Sequence, residues 1–193
     1  IQQKIDPSNR LELASCDKLK VTAITFKSMA MKKLPEKLFV TYRNLAELRL
    51  INTTIEELSY VDMMDAVELE KLHLEVTKIK KLSSFDFQEM RKLTEFVSIG
   101  NPLEEIEENS FVECLKMKIF RVENSTNLSP NFMNLKFFKK FPKLEILILK
   151  NLGNVETLPS DIFTGNSNLK DIDISNCNLN QLYELKLSRK VSL

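Results

Sequence analysis

Apolar residues recur along this chain at one fixed interval. The clearest example is the stretch LAELRLINTTIEEL, which begins at Leu45 and returns as LEKLHLEVTKIKKL from Leu69. The alternating pair Leu48 and Leu50 predicts a short strand with its apolar side chains on one face. An isolated strand or helix does not require a pattern that is repeated over so long an interval. The pattern therefore indicates stacked repeats, each of which buries its apolar side against its neighbours.

Most of the chain can be divided in the same way. Seven units begin at residues 21, 45, 69, 93, 117, 144 and 169, so the repeats cover residues 21–182. The first repeat of a stack has a bare apolar face, and we expect residues 1–20 to cover it as an N-terminal cap. Residues 183–193 are expected to form a C-terminal end segment. The predicted fold is an α/β repeat solenoid shaped like a horseshoe, with a parallel β-sheet on the concave face and irregular or short helical returns on the convex face.

Two further positions of the unit carry structural information. The ninth residue is short and polar in five units, and such side chains can hydrogen-bond turn backbone that is otherwise buried without a partner. These residues are Thr53, Thr77, Asn101, Ser125 and Cys177. Aromatic residues lie on the returns, where we expect their rings to stack in a row on the convex side. They are Phe39, Phe87, Phe111 and Phe163.

Composition and charge exclude several classes of partner. The net charge of the 193 residues is +1, whereas a general nucleic-acid binder needs a basic excess. No run of about 18 apolar residues is present, so no membrane insertion is expected. The first residue is Ile1 rather than Met, which fits a removed signal peptide or a trimmed chain. One basic run on a return is interpreted as a solvated face. It consists of Lys136, Lys139, Lys140 and Lys143.

The sequence contains no motif that indicates enzyme chemistry. His73 is the only histidine, and it lies between inward positions 72 and 74, so we expect it to face outward towards solvent or a partner. No cluster of His and Cys has the spacing of metal ligands, and no glycine-rich phosphate-binding loop is present. The carboxylates of the fourth return are interpreted as solvated charges on turns. They are Glu104, Glu105, Glu107 and Glu108. We therefore predict no catalytic residues, no metal site and no cofactor.

The three cysteines lie on units that are far apart. Strand stacking places Cys16, Cys114 and Cys177 about 15 to 30 Å from one another. A disulfide needs Cα atoms within about 7 Å, so we expect no intrachain bridge. This leaves free thiols or an intermolecular bond, for which Cys16 is the first candidate, and a dimer is therefore a further expectation.

One part of the concave face is predicted to bind a partner. Strand positions that alternate with the core must face outward, and in units four to six five of these positions are aliphatic. They are Val97, Ile99, Ile119, Ile146 and Ile148. The high strand propensity of Val and Ile explains them in part. A contiguous patch of a few hundred Å² is nevertheless the size of an interaction site. Arg121 is expected to serve as a polar anchor beside this patch, because arginine is enriched at binding hot spots.

The return Leu158-Pro159-Ser160-Asp161-Ile162-Phe163 resembles the extracellular class of leucine-rich repeats. The stretch VTAITFKSMAMKKLPEKLF followed by NLAELRLINTTIEEL is similar to the secreted leucine-rich-repeat immune proteins of mosquitoes. Those proteins bind complement-like factors. The resemblance implies a secreted recognition protein of innate immunity that binds a protein partner on its concave face.

Two other hypotheses stand beside this one. The chain can instead be the ectodomain fragment of a cell-surface receptor or adhesion protein, or an intracellular regulatory scaffold, which unpaired cysteines would favour. Three glycosylation sequons begin at Asn52, Asn124 and Asn127, and they are candidate modification sites. A glycan on native protein would exclude the intracellular hypothesis.

Overall fold

The computed structural model describes residues 17–153 and 155–179 of the chain. Seven parallel strands form one sheet, and their spatial order follows the chain. Neighbouring strands pair at the repeat interval, so that Leu48 lies beside Leu72. The strands are β1 Ala23–Met29, β2 Glu47–Thr53, β3 Lys71–Glu75, β5 Glu95–Ile99, β7 Ile119–Glu123, β8 Ile146–Lys150 and β9 Asp171–Asp173. This arrangement confirms the predicted solenoid. Most of the predicted cap and the whole C-terminal segment lie outside the described residues.

The returns between the strands are short and mostly irregular. They contain a 3-10 turn at Pro130–Phe132 and a second sheet formed by β4 (Lys81–Leu82) and β6 (Glu105–Ile106), and another 3-10 turn, Lys18–Lys20, precedes β1. The α-helices of the described residues are α1 Leu38–Thr41, α2 Tyr60–Met63 and α3 Leu135–Phe138. None of these helices is long and apolar enough to cross a membrane.

The core lies between the sheet and the returns, and phenylalanine rings fill it in units three to six. Phe111 packs against Phe87 at 4.9 Å and against Phe96 at 4.8 Å between ring centroids. Phe163 instead packs against Phe138 at 5.3 Å. No ring contact of Phe39 exists among the described residues, so the expected single row of rings is wrong. The rings form a cluster because the fifth return also turns its own phenylalanines inward.

In most units the side chain of the ninth residue hydrogen-bonds to buried backbone, as expected. The amide oxygen of Asn101 accepts hydrogen bonds from the backbone N–H of Thr77 at 2.7 Å and from its hydroxyl at 2.8 Å. The Asn101 amide nitrogen donates to the carbonyl oxygen of Leu74 at 2.7 Å and to the hydroxyl of Ser98 at 2.8 Å. Thr53 is an exception, because its buried hydroxyl has no partner among the described residues. Asn101 therefore joins the turn of unit four to residues 74–77 of unit three.

One residue near the carboxyl end of each concave strand adopts a left-handed backbone conformation. Its φ angle is positive at the eighth position of every unit, a conformation that suits Gly and Asn but strains a β-branched residue. The residues and angles are Ser28 (55°), Asn52 (51°), Val76 (53°), Gly100 (65°), Asn124 (56°), Asn151 (52°) and Asn176 (57°). Val76 is the only β-branched member of this set.

The two cysteines of the described region are buried and free. Burial raises the pKa of the Cys114 thiol to about 12. The Cys177 thiol donates to the carbonyl oxygen of Leu149 at 2.9 Å, which fits its ninth-position role. Cys16 lies outside the described residues, so the proposal that it forms an intermolecular bond stays a prediction.

Candidate protein-binding faces

The five aliphatic residues of the predicted concave patch lie side by side on β5, β7 and β8. Ile119 is paired in register with Ile146, and Arg121 lies between Val97 and Ile148. Their side chains are half-buried, apart from that of Val97, which is only 6% exposed. The concave curvature and the neighbouring side chains cover much of each residue. The five residues therefore lie on three adjacent strands, and all but Val97 are partly accessible.

The predicted polar anchor already has a partner within the chain. The Arg121 Nε atom donates to Glu123 Oε1 at 2.8 Å, and the arginine side chain is 38% exposed. An ion pair near the surface contributes little to stability, so Arg121 can exchange this partner for another at low cost. The arrangement holds the guanidinium beside Val97 and Ile148 without fixing it there.

His73 does not face solvent as the sequence predicted. It is 7% exposed, and its Nε2 atom lies 3.0 Å from Glu95 Oε1. Strand stacking explains the difference, because an outward residue of a curved sheet is flanked by Arg49 on one side and Val97 on the other. Within residues 17–153 and 155–179, no group of three or more His, Cys, Asp or Glu side chains is placed to hold a metal ion.

Negative charge surrounds the concave patch. The concave positions from unit four onward carry four carboxylates, at Glu95, Glu123, Asp171 and Asp173, and two cations, Arg121 and Lys150. Both cations have carboxylate partners, since Lys150 Nζ lies 3.3 Å from Asp173 Oδ2.

Two carboxylates at the border of the patch have no cation beside them. Glu75 is paired in register with Ile99, and Asp171 with Ile146. Neither forms an ion pair with any described residue. The patch is therefore bordered on two sides by carboxylates that a partner can neutralise.

The acidic residues of the fourth return are not the free charge run that the sequence suggested. Lys80 and Lys81 of the third unit pair with Glu104 at 2.8 Å and with Glu105 at 2.9 Å. Lys81 also contacts Glu107, and hydrogen bonds from Lys81 and then Ser84 lower the pKa of that carboxyl to about 2.

The first two units repeat this arrangement of lysines and glutamates. Lys32 pairs with Glu56 at 3.4 Å and Lys33 with Glu57 at 2.9 Å. In both cases a lysine of one unit meets a glutamate at the equivalent position of the next unit. This alternation of Lys and Glu between successive units was a visible signal that sequence reasoning missed.

The basic run on the fifth return is also less uniform than a solvated face. Lys136, Lys139 and Lys143 are exposed, but Lys140 is partly buried. The Lys140 ammonium lies 3.1 Å from Asn109 Oδ1 and 5.9 Å from the centre of the Phe137 ring. Burial lowers the pKa of Lys140. This residue therefore joins the fourth return to the fifth.

The asparagines of all three sequons are accessible. Asn52, Asn124 and Asn127 are exposed, and the first two occupy the left-handed eighth position of their units, at the carboxyl end of a concave strand. The side chain of Asn52 donates to the hydroxyl of Ser28 at 3.3 Å, and Asn124 accepts from Asn151 at 2.9 Å. A glycan at either position would border the concave face at the carboxyl ends of the strands.

Several large apolar side chains are exposed on the returns of units one to three, which lie on the opposite, convex face. Val61 is 73% exposed and Phe85 is 47% exposed. The other exposed members of these returns are Val40, Tyr60, Met64 and Val67. Sequence reasoning missed this surface because the return positions follow no fixed alternation from which inward and outward residues can be separated.

Comparison with known families agrees with the architecture. Residues 12–136 and 129–190 match the model of the BspA type leucine rich repeat region, in six copies. No match was found among curated proteins.

Several solved structures share the fold. The chain is 22% identical to a chain of the Toll–Spätzle complex, which acts in Drosophila development and innate immunity, with a TM-score of 0.58 over 72% of this chain and 18% of that one. A chain of the TLR13–ssRNA13 complex is 17% identical, with a TM-score of 0.67 over 80% of this chain and 21% of that one. Human 5T4, a trophoblast glycoprotein, is 15% identical, with a TM-score of 0.65 over 84% of this chain and 61% of that one. The chain thus spans about a fifth of the Toll and TLR13 chains that it matches. These likenesses show the fold alone.

Proposed function

We propose that this chain, which belongs to the BspA-type leucine-rich-repeat family, is a non-enzymatic scaffold that binds a protein partner on its concave face. The observation that carries the proposal is the contiguous aliphatic patch of β5, β7 and β8, with Ile119, Ile146 and Ile148 half-buried at its centre. Covering apolar surface is favourable by roughly 25 cal/mol per Å², before the costs of association. A partner that covers these side chains gains accordingly.

The charges around the patch indicate the chemistry of this partner. Glu75 and Asp171 border the patch without a cation, so a partner segment with aliphatic or aromatic side chains flanked by Lys or Arg is complementary. Four strand spacings of about 4.8 Å separate β3 from β9, which is about 19 Å across the sheet. A segment of about six extended residues covers that distance. Binding should consequently weaken as salt concentration rises, because exposed charges are screened.

The setting that we propose is extracellular, and the partner is a protein of innate immunity. The extracellular type of return, the exposed sequons at Asn52 and Asn124 and the fold shared with Toll and 5T4 support it. The ectodomain of a receptor or adhesion protein is the second candidate, because the chain spans only a part of those relatives. Mass spectrometry of native protein tests the setting, since a glycan on either asparagine requires passage through the secretory route.

A charge placed in the centre of the patch tests the binding site. The partner is first captured from the native fluid on the immobilised chain and identified by mass spectrometry. We expect Ile148→Asp to weaken binding of that partner by at least about 2 kcal/mol, the size of a hot-spot effect. Arg49→Glu lies on the same face outside the patch and is the matched control, with a smaller expected effect. Unchanged affinity of the Ile148→Asp variant in calorimetric titration would remove the patch as the site.

The absence of enzyme activity has its own test. His73 is the residue that a proton-transfer mechanism on the concave face would use, and its polar contact there is Glu95 of the neighbouring strand. We expect any hydrolytic turnover measured on a panel of ester and peptide substrates to be the same for the wild type and His73→Ala. A turnover that disappears with this substitution would show that the scaffold is an enzyme.

A further inference from the structure

The accessible aliphatic residues of the concave patch follow a diagonal across the sheet. In units five and six the third position is aliphatic, at the amino ends of β7 and β8, where Ile119 is paired in register with Ile146. In unit four the accessible residue is Ile99 at the seventh position, at the carboxyl end of β5, where its register partners are Glu75 and Glu123. The apolar positions therefore approach the carboxyl-end edge of the sheet as they pass from unit six to unit four.

Val76 continues this diagonal onto the edge of the sheet. It occupies the eighth position of unit three, one residue beyond β3, and its side chain is 54% exposed. The Val76 backbone N–H donates to the carbonyl oxygen of Ile99 at 2.9 Å, so the two residues lie beside each other at the ends of adjacent strands. We call Val76, Ile99, Ile119 and Ile146 the diagonal row.

The backbone conformation of Val76 is unusual for its side chain. Its φ angle is 53°, which a β-branched residue rarely adopts, whereas the eighth residues of the flanking units two and four are Asn52 and Gly100. Every unit has a left-handed residue at this position, so the unusual feature of unit three is the valine rather than the turn. Strained residues occur frequently at binding sites, where the surrounding structure maintains them.

The fold does not require an apolar residue at this position. The equivalent backbone N–H of Gly100 donates to the carbonyl oxygen of Glu123 at 2.9 Å, so the turn forms without a side chain. A Cβ atom on Gly100 would lie 3.5 Å from Val76 Cγ2, which places the valine side chain beside the glycine rather than in the core. The exposed valine therefore costs strain without filling the interior, and this indicates a role in binding.

The side chains at the eighth position form hydrogen bonds between units on both sides of this site. The Asn52 amide donates to the Ser28 hydroxyl at 3.3 Å, and the Asn151 amide donates to Asn124 Oδ1 at 2.9 Å. The eighth residues of units three and four have no polar side chain, so this row of hydrogen bonds is interrupted there. The glycine of unit four leaves space in which the backbone of another molecule can approach closely.

We infer that the protein partner of the concave face lies along the diagonal row and crosses the edge of the sheet over Val76 and Gly100, an inference that rests on the function proposed above. Three strand spacings and five residues separate Ile146 from Val76, about 14 Å across the strands and about 17 Å along them. The diagonal is thus about 22 Å long, and about seven extended residues span it.

The charge beside the crossing point indicates the chemistry of the partner segment. Glu75 directly precedes Val76, and it forms no ion pair with any described residue. A segment that places an apolar side chain on Val76 and a Lys or Arg next to it is therefore complementary to this edge. The same segment continues with aliphatic side chains over Ile99 and Ile119.

Calorimetric titration with the partner protein captured on the immobilised chain tests the inference. Val76→Asn should weaken binding at least about tenfold, because it removes an apolar contact. Gly100→Asn should weaken binding at least about threefold, because a side chain then fills the space at the crossing point. Ser28→Asn is the matched control, since it places the same residue at the eighth position of unit one, and it should bind as the wild type does.

Two further measurements separate a role in binding from a role in the fold. The melting temperature of Val76→Asn should equal or exceed that of the wild type, because Asn suits the left-handed conformation. Val76→Ile keeps both the apolar contact and the strain, so its affinity should stay within about threefold of the wild type. A Val76→Asn variant that binds more weakly and also melts at a lower temperature would show a structural role and overturn the inference.

Comparison with Ile148→Asp separates failure of this inference from failure of the proposed function. If Ile148→Asp weakens binding but either Val76→Asn or Gly100→Asn leaves it unchanged, the partner covers the patch without crossing the edge. The inference is then wrong and the proposed function stands. If Ile148→Asp binds as the wild type does, the proposed function fails and the inference fails with it. An equal loss in Ser28→Asn would also contradict the inference, because the affinity would then depend on the whole edge.

Discussion

The returns of units two and five are both rich in apolar residues, but they use them in opposite ways. The fifth return turns Phe132, Phe137 and Phe141 inward, where each is almost fully buried. The second return presents Val61 and Met64 to solvent. The comparison shows that an apolar residue on a return does not by itself define the core of a solenoid. Apolar side chains of the fifth return stabilise the stack, whereas those of the second return are exposed to solvent and can contact another molecule.

The lengths of the two units explain part of this difference. Ile119 on β7 pairs with Ile146 on β8, whereas Leu48 on β2 pairs with Leu72 on β3, so the fifth unit is the longer of the two. It contains α3, whose Phe137 contacts Phe111 of the fourth return and whose Phe138 contacts Phe163 of the sixth. Between residues 59 and 68 of the shorter second unit, only Met63 and Ala66 are buried.

The largest expected effect follows from the ring cluster. Phe137 packs against Phe120 at 5.6 Å and against Phe141 at 5.3 Å, so Phe137→Ala should lower the free energy of unfolding by about 3–5 kcal/mol. Val61→Ser on the second return should change it by less than about 0.5 kcal/mol. Urea denaturation of both variants measures the difference. Equal losses would mean that the second return is part of the core after all.

The next largest effect concerns the buried polar residue at the ninth position, which has hydrogen-bond partners in unit four but lacks a described one in unit two. Asn101→Ala leaves the Thr77 N–H and the Leu74 carbonyl without their partner, and we expect a loss of about 2 kcal/mol. Thr53→Val removes a buried hydroxyl that has no partner among the described residues, so stability should be unchanged or higher. The same denaturation experiment gives both values. A loss for Thr53→Val as large as that for Asn101→Ala would show that the Thr53 hydroxyl has a bonded partner.

A smaller effect is expected at the strand ends. Val76 is held at a φ of 53° where the neighbouring units have Asn52 and Gly100. Replacement by Asn relieves the strain of a β-branched side chain, so Val76→Asn should raise the free energy of unfolding by about 1 kcal/mol. The reverse change, Asn52→Val, should lower it by a similar amount. Thermal denaturation checks the pair, and a lower melting temperature for Val76→Asn would contradict the strain.

The smallest effect belongs to the lateral ion pairs. The hydrogen bond from Lys81 lowers the pKa of Glu107 from its usual 4.5 to about 2, so its contribution to stability is complete above pH 4.5. The contribution is lost as the pH falls from 4.5 towards 2. Glu107→Gln should therefore reduce the dependence of the free energy of unfolding on pH between 4.5 and 2, and it should leave the phenylalanine ring cluster unaffected. Denaturation curves of both proteins across this pH range should converge at the acid end, and parallel profiles would show that the pair contributes nothing.

The inward side of this fold was predictable because one rule repeats along the chain. Leu48, Leu72 and Phe96 occupy equivalent positions, and the alternation within each strand assigns them to the core. The outward side was less predictable, since the exposure of His73 or Val97 depends on the neighbouring strands of a curved sheet. The exposure of a concave residue therefore depends on the side chains of its own unit and of the two units beside it.

The convex face was the least predictable part. Whether Val61 or Met63 points inward depends on the capping box at Ser59, which sets the orientation of the short helix α2. No alternation marks these positions, and local hydrogen bonds decide them. The ion pair between Lys81 and Glu105 was predictable in principle from its spacing, which equals the repeat interval, but only after the units are aligned.

The central claim is that the concave patch of units four to six binds the partner and the convex face does not. Calorimetric titration of the captured partner into the wild type, Ile148→Asp and Val61→Asp tests it most directly. We predict that Ile148→Asp loses at least about thirtyfold in affinity, which is about 2 kcal/mol, and that Val61→Asp binds as the wild type does. Full affinity in Ile148→Asp together with a loss in Val61→Asp would contradict the claim and move the partner site to the convex face.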